Sequence, residues 1–193
     1  SNLCRNAGYQ INSFKRLSKY IPSECKKKIH NAFIVTNFTY CPIIWHHCSI
    51  ANTIKIEKLN KGSLRIVCND KISDYKELLH GFDKPMLYIY RKQLMLLQTF
   101  NILHSLAPPI PSSFYSVKES HYDFRKSNTL ILPKYSTVQY GKHSFKYESI
   151  VLWNDLPQFM RDIVDFTDFK HHIMNTTYWM CNCGSCVCCK FNG

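Results

Sequence analysis

Apolar residues recur every three or four positions from Ile11 to Leu106, and the run stops at Pro108-Pro109. That period lines up side chains on one face of a helix, whereas a half-buried strand would need alternation by two. Successive prolines lack N–H donors and push the residue before them out of helical conformation, so no helix continues through them. The first hundred residues therefore predict a packed set of amphipathic helices.

Ile11, Phe14, Leu17 and Tyr20 or Ile21 form the first stripe, which Pro22 ends. Ser23 is placed to cap a second helix, with Ile29, Ala32, Phe33 and Thr36 on its apolar face. The aromatic and apolar segment 38–45, interrupted by Pro42, reads either as a short buried extended piece or as a kinked helix. Helices are then expected over 52–67, 73–80 (ending at Gly81) and 86–106.

Beyond Leu106 the texture changes. Residues 107–135 hold four of the eight prolines and read as loop or extended chain. Val138 to Phe145, with Gly141 inside it, suits one arm of a small hairpin. Tyr147 to Trp153 reads as a short helix, and Phe166 begins a last one carrying Phe169 and Ile173. The expected architecture is mainly α: a helical bundle over 1–106, a mixed α/β extension with a small β-hairpin over 107–175, and a Cys-rich tail over 176–193.

Apolar residues make up 45% of the 193 positions and charged residues 20%, which excludes wholesale disorder. No stretch approaches the roughly 18 uninterrupted apolar residues of a membrane span, and residues 1–10 lack the apolar core of a secretory signal. The expectation is an intracellular chain, nuclear or cytoplasmic, with no membrane partner.

Charge is unevenly spread. Through residue 100 there are 16 Lys and Arg against 6 Asp and Glu; from residue 101 onward there are 9 against 7. Lys15, Arg16 and Lys19 can lie near one helix face, and Lys26, Lys27 and Lys28 open the next helix. Such a field attracts polyanions, because neutralising phosphates releases condensed counterions. For charge alone, a solvated basic face kept for solubility is an equal reading. Arg65, Arg91 with Lys92, and Arg125 with Lys126 are weaker phosphate-contact candidates. Tyr40, Trp45, Tyr88, Tyr90, Tyr140, Phe145 and Trp153 can stack on bases, but at amphipathic positions they read as core.

Catalytic constellations are missing. A nucleic-acid polymerase needs carboxylates positioned to hold two divalent ions; no Asp-Asp pair occurs, and the 13 acidic residues fall singly on helix faces and in loops. There is no Gly-rich phosphate loop and no nucleophile elbow. His46-His47 and His171-His172 are neighbours that diverge by about 100° on a helix, so they read as surface or interface histidines.

Of the 10 cysteines, Cys4, Cys25, Cys41, Cys48 and Cys68 are scattered and read as small core hydrophobes. Cys181, Cys183, Cys186, Cys188 and Cys189 crowd the end. Cys183-x-x-Cys186 has the spacing of a zinc-ligand pair, and Cys181 with Cys189 or Cys188 would complete four thiolates. A thiol tail without metal, or a lipidated one, are the other readings.

The order Tyr40-Cys-Pro-x-x-Trp45, Leu64-Arg-Ile-Val67 with Asn69-Asp70, Leu106-Ala-Pro-Pro109, Tyr140-Gly141 with Ser144-Phe145, Leu152-Trp-Asn-x-Leu-Pro157 and Asp168-Phe-Lys170 resembles the C-terminal segment of reverse transcriptases from non-LTR, LINE-type, jockey-like retrotransposons. Each piece is short; their order across nearly the whole chain makes the likeness specific.

The resemblance implies a thumb-like helical domain and a C-terminal extension of an RNA-directed DNA polymerase whose palm, with its metal-binding carboxylates, lies upstream. It implies no catalytic residue in this chain. It implies a supporting role in which Lys15, Arg16, Lys19, Lys26, Lys27, Lys28 and Arg65 contact the RNA/DNA template–primer, with the upstream palm as second partner. The alternative is a decayed or domesticated transposon-derived module that binds protein and no nucleic acid.

Overall fold

The chain packs as two units that divide between Tyr90 and Arg91, inside a single helix, in a computed structural model describing residues 2–108, 114–118 and 128–175. It is mainly α-helical. The sequence texture changes later, at Leu106, because that is where helical periodicity ends rather than where the packing divides.

In the first unit, helix α1 (Asn2–Leu17) turns Ala7, Ile11 and Phe14 inward at i, i+4 and i+7. Leu17 and Tyr20, expected on the same stripe, are exposed. The helix stops at Leu17, so Ile21 takes the inward place beside the core instead. Pro22 precedes α2 (Ser23–Ile29), and Ser23 makes no capping bond. The rod continues through a π-helical segment, His30–Val35, into α3 (Thr36–Thr39).

The buried face of this rod is His30, Ile34 and Phe38, not Ala32, Phe33 and Thr36, which are exposed. His30, Ile34 and Phe38 fall at i, i+4 and i+8, a spacing that shares one face of the rod. His30 is tolerated inside because its Nε2 lies 2.9 Å from the Ser63 hydroxyl, which itself donates to the Asn60 carbonyl at 2.8 Å.

The ambiguous segment 38–45 resolves as helix. Cys41 adopts a left-handed conformation (φ 45°) and Pro42 occupies the first turn of α4 (Pro42–His46), where its missing N–H costs nothing. Trp45 spans the break, its indole N–H donating to the Tyr40 carbonyl at 3.1 Å.

Helix α5 (Ile50–Cys68) starts with Ser49, whose Oγ accepts the Asn52 N–H, and ends at Asn69 in left-handed conformation. Its buried stripe mixes Ile56, Leu64 and Val67 with Thr53, Glu57, Asn60 and Ser63. The polar members are engaged. Glu57 takes the Tyr75 hydroxyl on Oε2 (2.6 Å) and the Tyr88 backbone N–H on Oε1 (2.7 Å), while Asn60 donates to the Tyr75 oxygen (2.8 Å). Tyr75 opens α6 (Tyr75–His80), which carries an Asp74–Glu77 capping box and ends at Gly81 as expected. Tyr88 lies in the first turn of α7 (Leu87–Leu103), so a buried carboxylate serves as that helix's cap.

In the second unit, α7 buries Met95, Leu96 and Phe100, and Arg91 with them. Phe100 stacks on Phe169 of α10 (Phe166–Asn175) at 4.5 Å, and Trp153 of α8 (Phe145–Asn154) approaches the same ring at 5.7 Å. Phe169 and Ile173 are buried, as their spacing predicts. The Gln93 amide donates to the last-turn carbonyl of Ile173 (3.0 Å), and a short α9 (Gln158–Arg161) follows Pro157.

Among the described residues there is no β-strand, only an isolated antiparallel bridge between Val117 and Leu130. The hairpin arm expected from Val138 is instead a π-helical turn, Val138–Lys142. The Asn154 side chain accepts the Leu130 N–H and donates to the Leu130 carbonyl, both at 2.9 Å. Gly141 lets the turn close; a methyl group there would run into Cβ of Tyr135.

Candidate nucleic-acid interface

The end of α1, the connection 18–22 and the start of the rod bring six of the sequence-predicted cations to one end of a helical hairpin. Lys15 and Arg16 lie in the last turn of α1, Lys19 in the connection, and Lys26, Lys27 and Lys28 in α2. At 1.5 Å of rise per residue, all lie within about 8 Å, along the helix axes, of the ends that the connection joins. Five are exposed and Lys26 is half-buried. Glu24 is the one acidic residue between Lys15 and Lys28. Among the described residues none of the six is ion-paired, whereas Lys61 is, to Asp74 at 3.2 Å.

Part of this placement serves the fold. Lys15 and Arg16, in the last turn of α1, complement the negative end of that helix's dipole, worth about 0.3–1 kcal/mol apiece, whereas Lys26, Lys27 and Lys28 gain nothing of the kind because the rod runs on to Thr39. Lys27 holds its ammonium 5.1 Å from the centre of the Phe82 ring. Lys19 and Lys28 have no comparable internal role.

Sequence reasoning missed one neighbour. Lys84, in the α6–α7 connection, donates to Asn31 Oδ1 at 2.7 Å and so sits beside the rod, 53 positions away in sequence. Burial draws the Lys84 ammonium below its ordinary pKa. The His30 imidazole is drawn to about 4, chiefly by burial and then by the Lys84 charge. Only the fold reveals these partners, since neither residue stands in a charged run.

The remaining candidates are placed differently. Arg65 is half-buried and donates from Nη2 to the Ser73 carbonyl at 3.3 Å. It steadies the loop in which Asp70 accepts the Ser73 hydroxyl and the N–H groups of Ile72 and Ser73. Those bonds, with a smaller contribution from Arg65, hold the Asp70 carboxyl at about 2. Arg91 is fully buried, which removes it as a phosphate contact. Arg125 and Lys126 lie outside the described residues.

His46 is also a correction to the surface reading: it is buried and stacked on Tyr88 at 5.5 Å. His171 and His172 are exposed. Tyr40 is exposed rather than core, because the chain turns outward at Cys41. Trp153 is core, its indole N–H donating to the Asn128 carbonyl at 3.0 Å. Cys25, Cys41 and Cys68 are exposed free thiols, not core hydrophobes, since each sits at a helix end or break.

Cys181, Cys183, Cys186, Cys188 and Cys189 lie outside the described residues. Among the described residues no three His, Cys, Asp or Glu side chains gather as a metal site, and no helix is long and apolar enough to cross a membrane.

The geometry defines a class of surface: exposed cations, unneutralised by the chain, grouped at the end of a helical hairpin. Such a surface suits a polyanion. No family model, no curated protein and no solved structure matches this chain.

Proposed function

We propose that the chain is the non-catalytic C-terminal part of a LINE-type RNA-directed DNA polymerase. In this reading the α1–α2 end grips the RNA/DNA template–primer backbone, and an upstream palm supplies the carboxylates and the chemistry. The observation that supports it best is the set Lys15, Arg16, Lys19, Lys26, Lys27 and Lys28, without an ion pair among the described residues. Phosphate contacts of this kind position a duplex and carry no sequence information. The resemblance names the duplex; charge alone asks only for a polyanion.

The test is binding of the purified chain to an RNA–DNA duplex at two salt concentrations. A steep loss of affinity with salt is the expected result. No binding, or binding indifferent to salt, contradicts the proposal and favours a protein-binding module instead. The same preparation is expected to incorporate no nucleotide with any divalent metal.

A further inference from the structure

Tyr20 stands in the connection between α1 and α2 with 85% of its surface exposed, and Leu17 beside it with 58%. The Tyr20 N–H bonds to the Leu17 carbonyl at 2.9 Å, which fixes its backbone against the end of α1. Among the described residues its ring meets no other ring and its hydroxyl has no partner. Lys15, Arg16 and Lys19 precede it, and Lys26, Lys27 and Lys28 follow within eight positions.

Singly exposed apolar residues are common on protein surfaces, and Tyr40 is one here; what sets Tyr20 apart is the group of cations around it. A ring set among unpaired cations is the combination by which single strands are held: phosphates meet ammonium and guanidinium groups while a base covers the ring. A base-paired duplex offers phosphates there but keeps its bases stacked on one another. We infer that the tip of the α1–α2 hairpin binds unpaired nucleotides, with Tyr20 as the stacking platform and the adjoining Lys19 as a phosphate contact. This rests on the polyanion reading above and adds to it a preference for single strands, of RNA or DNA.

The stacking step makes no demand on sequence, since every base has a π-face. It does demand an aromatic at position 20, so alanine and tryptophan there have opposite consequences. Base stacking of this kind is typically worth about tenfold or more in affinity.

The experiment compares the whole chain with its Tyr20→Ala and Tyr20→Trp variants, using a labelled oligo(dT), an RNA–DNA duplex and vesicles containing anionic lipid. Tyr20→Ala is expected to weaken oligo(dT) binding about tenfold, with duplex affinity and the salt slope unchanged. Tyr20→Trp is expected to retain oligo(dT) binding and to show fluorescence quenching beyond that of the parent chain. If the chain binds both nucleic acids and Tyr20→Ala matches it on oligo(dT), stacking is overturned and the grip stands. If the parent chain binds neither nucleic acid, the polyanion grip fails and the inference with it. Binding to the vesicles but not to oligo(dT) overturns the inference by assigning the tip to a lipid surface.

Discussion

Glu57, buried in the middle of α5, accepts the backbone N–H of Tyr88 at 2.7 Å and thereby caps the first turn of α7. Its other oxygen holds the Tyr75 hydroxyl, so one carboxylate ties α5, α6 and α7 together. Truncation leaves a buried N–H and a buried hydroxyl short of an acceptor. Glu57→Ala is therefore expected to destabilise the first unit by about 3 kcal/mol, and Tyr75→Phe by about 1 kcal/mol. Urea unfolding followed by circular dichroism checks both, and equal small losses would contradict the cap.

His30 predicts a pH dependence. Its imidazole titrates near 6.5 in the unfolded chain and at about 4 when folded, because burial and the Lys84 charge oppose protonation. Above pH 6.5 both states are neutral there and the group contributes no slope. Between 6.5 and 4 the unfolded state binds more protons, so stability falls as pH falls, by about 3 kcal/mol from this group at most. Unfolding free energies measured across that window should show the drop, and His30→Gln should flatten it.

Asn154 and Trp153 hold residues 128–130 by side-chain bonds to backbone. Removing the Asn154 amide strands both the N–H and the carbonyl of Leu130, which is buried. Asn154→Ala is expected to cost about 2 kcal/mol, and hydrogen exchange at the Leu130 amide should accelerate. An unchanged exchange rate would show that the bracket contributes nothing.

The helices of the first unit are legible because their apolar spacing is strong and their stops are chemical: Pro22, Gly81 and Pro108 mark ends that the fold respects. The illegible part depends on polar residues inside. Thr53, Glu57, Asn60 and Ser63 look solvent-facing by hydropathy alone, yet each is buried with a partner. The buried face of the rod escapes the pattern for a similar reason, since it is led by a histidine, His30, that hydropathy alone leaves outside. The turn at Val138 escapes the pattern because so short a stretch does not let spacing separate a strand from a helical turn. The cations are legible as a run. That they go without ion pairs, and that Lys84 stands beside the rod, is visible only in three dimensions.

A further expectation concerns the Cys-rich end. If Cys181, Cys183, Cys186 and Cys189 bind zinc, metal analysis of protein purified without chelator should find about one equivalent. Cys183→Ser with Cys186→Ser should abolish it, and an equal content in the variant would reject that ligand set.

The central claim is that the α1–α2 end is where nucleic acid is held, and the salt slope of binding tests it most directly. Each phosphate contact contributes about 0.9 to the slope of log affinity against log salt on a duplex. Replacing Lys15, Arg16, Lys19 and Lys28 together by alanine should therefore lower the slope for an RNA–DNA duplex by about 3.6, with helicity unchanged. A slope identical to that of the parent chain would show that the polyanion binds elsewhere or not at all.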